Sequence, residues 1–300
     1  MLQDPRTSTP QQQVSRVQNQ SFAESLDFTD LRVLINGAAG GLGYSLAQAF
    51  AGVGAELVLA DIDEAGLARV AAAFAGPVAT HTYDQADLGS IAGLAAAVGR
   101  VDVLVNNAAV LLVEPLLDSD PAAISRVINT NLVGPMVLAR HLAVPMVERK
   151  RRVIINISSQ LGFCGAAGRG VYATAKAGLA QFTKTAAVEW APYGLRVLAI
   201  APGRLLTTVS TFLGRDEAAF KAGIARVPAG RYGRLVGGVP TSITVPRMGR
   251  SILCALGCAE RAVYCTLHPI SAVAAPCSYT AAAMLTAIAS QPRSCLALSA

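Results

Sequence analysis

From about Leu31 to Ile200 the chain alternates short apolar runs with longer Ala/Leu-rich stretches, and that alternation constrains the fold more than any other feature. Runs of strand length lie at 32–35, 57–60, 78–82, 103–106, 153–157 and 196–200, and stretches of helical period lie near 42–53, 64–74, 90–98, 121–149 and 171–193. Two parallel strands need a crossover of about a dozen residues between them, and these stretches supply it. Right-handed crossovers then build an α/β fold, a doubly wound parallel sheet of Rossmann-like type. Such a sheet must be buried on both faces, and a composition of 53% hydrophobic and 15% charged residues provides the material. Three hundred residues suit one domain of this kind with appendages.

The rest of the chain excludes several functional classes. Residues 1–27 are Gln/Ser-rich and read as a flexible extension, too polar to bury a core and without a signal-peptide core. No apolar run reaches the roughly 20 residues of a membrane span, so a cytoplasmic protein with no membrane partner is expected. The formal charge is +6, but the basic residues are scattered and no aromatic-studded basic stripe accompanies them, which argues against nucleic acid. His81, His141, His268 and the six cysteines fit no metal-ligand spacing, and no metal site is expected.

Two constellations carry chemistry. The first strand runs into Asn36-Gly37-Ala38-Ala39-Gly40-Gly41-Leu42-Gly43 and then a helix. Glycines there let the backbone turn sharply and approach a pyrophosphate, whose charge meets the free N–H groups of the helix start. A tight strand-to-helix turn is the plainer alternative. Asp61, eighteen residues beyond Gly43 at the end of the next strand, favours the nucleotide reading, because its carboxylate can accept from a ribose diol and repel a 2′-phosphate. Capping of the following helix is the other role open to Asp61. The second constellation is Tyr172 with Lys176 four residues on, and Ser159 thirteen residues before the tyrosine. On a helix Tyr172 and Lys176 share a face, so the ammonium is expected to lower the phenol pKa and ready it for proton transfer.

Taken together these segments resemble the short-chain dehydrogenase/reductase family over about residues 31–234. Residues 36–43 resemble its glycine loop, Asn106-Asn107-Ala108-Ala109 its Asn-Asn-Ala-Gly segment, and Asn131-Leu132 its catalytic-asparagine helix. Ser159, Tyr172 and Lys176 match its catalytic set, Pro202-Gly203 with Thr207 the segment that closes over nicotinamide, and Asp84 the position that contacts adenine. The resemblance implies an NAD(P)-dependent oxidoreductase that interconverts a secondary alcohol and a ketone, with NAD preferred over NADP on the strength of Asp61. It implies Tyr172 as general acid/base, Ser159 beside the substrate oxygen, Lys176 on the ribose, and Asn131 holding a water that links the lysine to solvent. Cofactor contacts are implied for Gly37, Gly41, Leu42, Gly43, Asp61, Asp84, Asn107, Tyr172, Lys176, Pro202, Gly203 and Thr207. A homo-oligomer acting on a small alcohol or ketone completes the expectation.

Four departures qualify it. Asn36 stands where the family has Thr, Leu198 where it commonly has Asn, and Ala109 where it has Gly; the last would hinder cofactor binding if the backbone there needs positive φ. The fourth is residues 235–300, an atypical tail with one acidic residue (Glu260), no Lys, four Arg and five Cys, and no Asp-Gly-Gly ending. The tail reads as frame-shifted or foreign sequence, with a divergent extension as the alternative. A foreign tail would remove the last strand and one subunit interface of the family type. Two other readings therefore stay open: a nucleotide-binding protein without turnover, and an impaired product with an aberrant C-terminus.

Overall fold

The computed structural model describes residues 27–149, 152–206, 217–225, 232–234 and 253–254. All six expected strands form, as β1 (Arg32–Asn36), β2 (Glu56–Asp61), β3 (Val78–Thr82), β4 (Val103–Asn106), β5 (Arg152–Ile157) and β6 (Leu195–Ile200). They pair in parallel in the order β3-β2-β1-β4-β5-β6, with the strand order reversing between β1 and β4. Two further short pairs occur. Leu205–Leu206 (β7) runs parallel to Gly233–Arg234 (β8), and Leu253–Cys254 (β9) pairs in parallel with β6 at the sheet edge, through Ala199 and Ile200. The tail thus meets the sheet at two residues; the remainder of 235–300, like residues 1–26, lies outside the described residues.

Successive strand residues point to opposite faces, and both faces are dry. On one, Val33, Ile35, Leu57, Leu59, Val103, Val105, Val153 and Ile155 pack against helices α1 (Gly41–Gly52) and α2 (Glu64–Ala71). On the other, Leu34, Val58, Leu104, Ile154 and Val197 meet α3 (Leu88–Ala97), α5 (Gly134–Val147) and α6 (Gly170–Trp190). Helix starts are set by side-chain caps: Asp63 accepts from Gly66 N–H at α2, Asp87 from Gly89 N–H at α3, and Asp120 from Ala123 N–H at α4 (Pro121–Ile128), where Pro121 presets the first turn. At the strand starts, buried Asp102 binds Arg152 Nε at 2.7 Å and Arg100 Nε at 3.1 Å and accepts from Arg32 N–H, tying β1, β4 and β5 together.

One expected element divides. The single helix anticipated over 121–149 is α4 followed by a π-helical turn, Asn129–Val133, and then α5. Pro135 has no N–H to offer the carbonyl four residues earlier, and the Gly134 N–H instead reaches back five residues to the Asn129 carbonyl.

Candidate active site

The glycine loop, Asp61, Asp84, Asn107, Ser159, Pro202 and Gly203 all follow or end strands at their carboxyl ends, on the side where an open α/β sheet presents its crevice. Gly37 leaves β1 at φ +64°, and a Cβ there would fall 2.6 Å from the Ala108 Cα, so the loop requires glycine twice over. Gly41, the first residue of α1, has φ +55°. Gly43 is buried, and a Cβ on it would lie 2.1 Å from the Gly37 carbonyl oxygen. Leu42 turns inward onto the core. The first turn of α1 carries no acidic side chain and Gly40 makes no side-chain cap, which leaves its N–H groups for an external anion. A pyrophosphate therefore fits this cradle.

Asp61 ends β2, and its carboxylate accepts from Ala39 N–H at 2.9 Å and Asp63 N–H at 3.1 Å. It is thereby fixed against the glycine loop. Asp84 follows β3 and accepts from Ala86 N–H at 2.8 Å. Both carboxylates lie near Tyr83, whose phenol is pushed up first by complete burial and then by Asp61 and Asp84.

Asn107, after β4, donates to the Asn36 and Gly37 carbonyls at 3.1 and 2.9 Å. Asn36 answers with its own carboxamide: Oδ1 accepts from the N–H groups of Asn107 and Ala108, both at 2.7 Å. The Asn that stands in place of Thr thus binds the segment after β4 to β1. Its Nδ2 starts a buried relay, donating to Asn106 Oδ1 at 2.8 Å; Asn106 donates to Asn156 at 2.9 Å and Asn156 to Thr183 Oγ1 at 2.9 Å. Asn106 accordingly braces the sheet. Ala109 does not have a positive φ, since Asp30 is the only such non-glycine among the described residues, and its methyl group imposes no backbone strain. Leu198 is buried in the core.

Ser159 follows β5 and is 8% exposed, and its hydroxyl lies beside the phenol of Tyr172 in the first turn of α6. Lys176, one turn further, is 2% exposed, donates to the Ile157 carbonyl at 2.7 Å and sits 5.8 Å from the Tyr172 ring centre. Burial lowers its pKa from 10.5 to about 8. The expectation that Lys176 lowers the phenol pKa is corrected here. Tyr172 is raised from its ordinary value because burial outweighs the hydrogen bond from Ser159. Asn131 is fully buried in the π turn, and its carboxamide clasps Val110 at both backbone groups, 2.9 Å to N–H and 2.7 Å to the carbonyl. Pro202 and Gly203 follow β6, and the Pro202 carbonyl accepts from Gln160 N–H at 3.0 Å, holding that segment beside Ser159. Thr207 lies outside the described residues.

Six buried polar residues gave no reading from the sequence: Gln85, Asp102, Thr130, Asn156, Ser158 and Thr183. Asn156 had a signal, a carboxamide inside the apolar run Val153-Ile154-Ile155-Asn156-Ile157. Gln85 had none, since it falls in a polar loop. Among the described residues no cluster of His, Cys, Asp or Glu suits a metal ion, and no helix is long and apolar enough to cross a membrane.

Comparisons with known proteins agree with this geometry. A family model described as short chain dehydrogenase matches residues 32–218. A 2-dehydro-3-deoxy-D-gluconate 5-dehydrogenase of Formosa agariphila is 32% identical over 226 residues, covering 70% of this chain and 84% of its own. A galactitol 2-dehydrogenase of Agrobacterium fabrum is 39% identical over 175 residues, 57% of this chain and 68% of that protein. Among solved structures, one described as an NAD(P) dependent gluconate 5-dehydrogenase from Beutenbergia cavernae, with bound NADP, superposes with a TM-score of 0.67 at 31% identity, covering 70% of this chain and 86% of the other.

Proposed function

The chain belongs to the short-chain dehydrogenase family, and from that premise we propose that it interconverts a secondary alcohol and a ketone with NAD(H), using Tyr172 as the general acid/base. The observation that carries this reading is the gathering of the Ser159 hydroxyl, the Tyr172 phenol and buried Lys176 at the same carboxyl edge of the sheet as the glycine loop. NAD(H), when bound, supplies or accepts the hydride. In the reductive direction the Ser159 and Tyr172 hydroxyls hold the carbonyl oxygen, and Tyr172 delivers the proton. With its pKa near 8, Lys176 can exchange a proton close to working pH and so recharge the phenol. Asn131 keeps the turn beneath it in place and holds the water through which that proton reaches solvent.

Asp61 supports NAD over NADP. Its carboxylate is fixed at the end of β2, and residues 37–43 and 61–66 contain no Lys or Arg to receive a 2′-phosphate. Two arginines support a substrate that carries a carboxylate. Arg169, three residues before Tyr172, is held below its usual range first by burial and then by the charge of Arg204, which directly follows Gly203. A carboxylate between them would relieve that repulsion, and sugar acids are the named substrates of several relatives. Exposed Met136 and Val144 on α5 and Val188 on α6 support a homo-oligomer that covers them.

The test is steady-state kcat/KM with NADH and NADPH over a panel of keto-sugar acids, neutral keto-polyols and cyclic ketones. The proposal expects NADH to be preferred and the keto-acids to exceed their neutral counterparts. Equal or better use of NADPH would defeat the cofactor assignment, and indifference to the carboxylate would defeat the substrate class.

A further inference from the structure

The π turn that carries Asn131 leaves the buried Thr130 carbonyl without a donor from its own helix. In an α-helix the Thr130 carbonyl would accept from the Gly134 N–H, but that group is engaged by the Asn129 carbonyl. In a continued π-helix it would accept from residue 135, which is proline and has no N–H. Thr130 is itself buried, so an unmet carbonyl there would be costly. The donor comes from another element: Gln85 Nε2, in the loop after β3, reaches the Thr130 carbonyl at 2.6 Å.

The same nitrogen donates to the Ala108 carbonyl at 3.0 Å, one residue past Asn107. The amide is oriented by Tyr83, whose hydroxyl donates to Gln85 Oε1 at 2.6 Å. Gln85 is 4% exposed, and its backbone is packed so closely that a Cβ on Gly134 would meet the Gln85 carbonyl oxygen at 2.2 Å. One buried carboxamide therefore links three parts: the loop bearing Asp84, the segment carrying Asn107, and the π turn whose Asn131 clasps Val110. A hydrophobic residue of the same size would fill the space and hold none of them.

We propose that Gln85 is a positioning residue: by donating to the Thr130 and Ala108 carbonyls it sets the π turn that places Asn131 and fixes the floor of the cofactor groove. It acts through Asn131 and the 107–110 segment and touches neither substrate nor reacting atoms. The inference rests on the dinucleotide reading of the groove, but half of its test is independent of that reading.

Gln85→Met keeps the volume and removes both donated bonds. Amide exchange of the full chain should show the Val110 N–H, held by Asn131 Oδ1, exchanging at least about tenfold faster while strand amides such as Val33 and Val58 keep their protection. NADH affinity, read by fluorescence, should fall about tenfold. The second variant is Pro135→Ala, which restores a backbone donor in reach of the Thr130 carbonyl. Placed in the Gln85→Met background it should recover most of the Val110 protection, whereas in the wild-type background it should change little. Unchanged Val110 exchange in Gln85→Met, a uniform loss of protection across the sheet, or failure of Pro135→Ala to rescue would each overturn the proposal. Failure of wild-type protein to bind NADH would count against the dinucleotide reading alone, because the exchange readout needs no ligand.

Discussion

Replacing Lys176 with methionine should abolish turnover and yet make the protein more stable at neutral pH. Lys176 is wholly buried, and burial takes its pKa from 10.5 to about 8. At about 1.36 kcal/mol per pH unit, that displacement means that the charged amine costs the folded state about 3 kcal/mol below pH 8. The hydrogen bond to the Ile157 carbonyl returns about 1 kcal/mol of this, which methionine would forfeit, leaving the variant about 2 kcal/mol ahead at pH 7. The sign with pH follows from proton counting. Between about 8 and 10.5 the unfolded chain binds more protons than the folded one, so wild-type stability rises with pH. By pH 9.5 the remaining cost is about 1 kcal/mol by the same linkage, and the gap between the two proteins should close to about zero. Urea denaturation followed by the single tryptophan, Trp190, which packs edge-on against Phe182, measures both points. The melting temperature should differ by roughly 4 to 8 °C at pH 7. A Lys176→Met protein less stable than wild type at pH 7, or a gap that does not change with pH, would refute the claim that this lysine is held buried against its own solvation.

Three other substitutions test separate parts of the structure. Gly43→Ala sets a methyl group against the Gly37 carbonyl, where no flexible side chain can yield, and NADH affinity measured by fluorescence titration should fall about a hundredfold, or about 2.7 kcal/mol. Asp61→Ala should narrow the ratio of kcat/KM for NADH over NADPH, because it removes the carboxylate that would face a 2′-phosphate. Asp102→Ala removes the buried carboxylate that Arg152, Arg100 and the Arg32 N–H share at the opposite end of the sheet, and should cost about 3 kcal/mol by denaturation while kcat/KM per folded molecule stays unchanged.

How far the sequence disclosed this molecule depended on whether the information was local. Strands β1, β2, β4, β5 and β6 were legible because a doubly buried strand is a largely apolar run, whereas the edge strand β3 carries Thr80, His81 and Thr82 and is only partly buried. The glycine loop was legible because its backbone leaves no alternative to glycine at Gly37 and Gly43. The positions of Ser159, Tyr172 and Lys176 followed from spacing along one strand and one helix. What escaped was long-range. The break at Asn129–Val133 depends on Pro135 together with a glutamine 45 residues earlier than Thr130. The Asn36–Asn106–Asn156–Thr183 relay joins side chains that the strand register and the packing of α6 on the sheet bring together. The direction of the Tyr172 shift escaped for a similar reason: helical spacing puts Lys176 nearby, but burial of the phenol is a property of the whole fold.

In the proposed mechanism the Tyr172 hydroxyl is the group that moves the proton. Tyr172→Phe deletes that hydroxyl and keeps the ring, so the measurement is kcat with NADH and the best ketone of the panel, beside NADH affinity on the same preparation. Affinity should stay within about twofold of wild type, while kcat falls by about two to four orders of magnitude, the range for loss of a general acid/base. Retention of more than about a tenth of wild-type kcat, a barrier change under about 1.4 kcal/mol, would contradict the assignment.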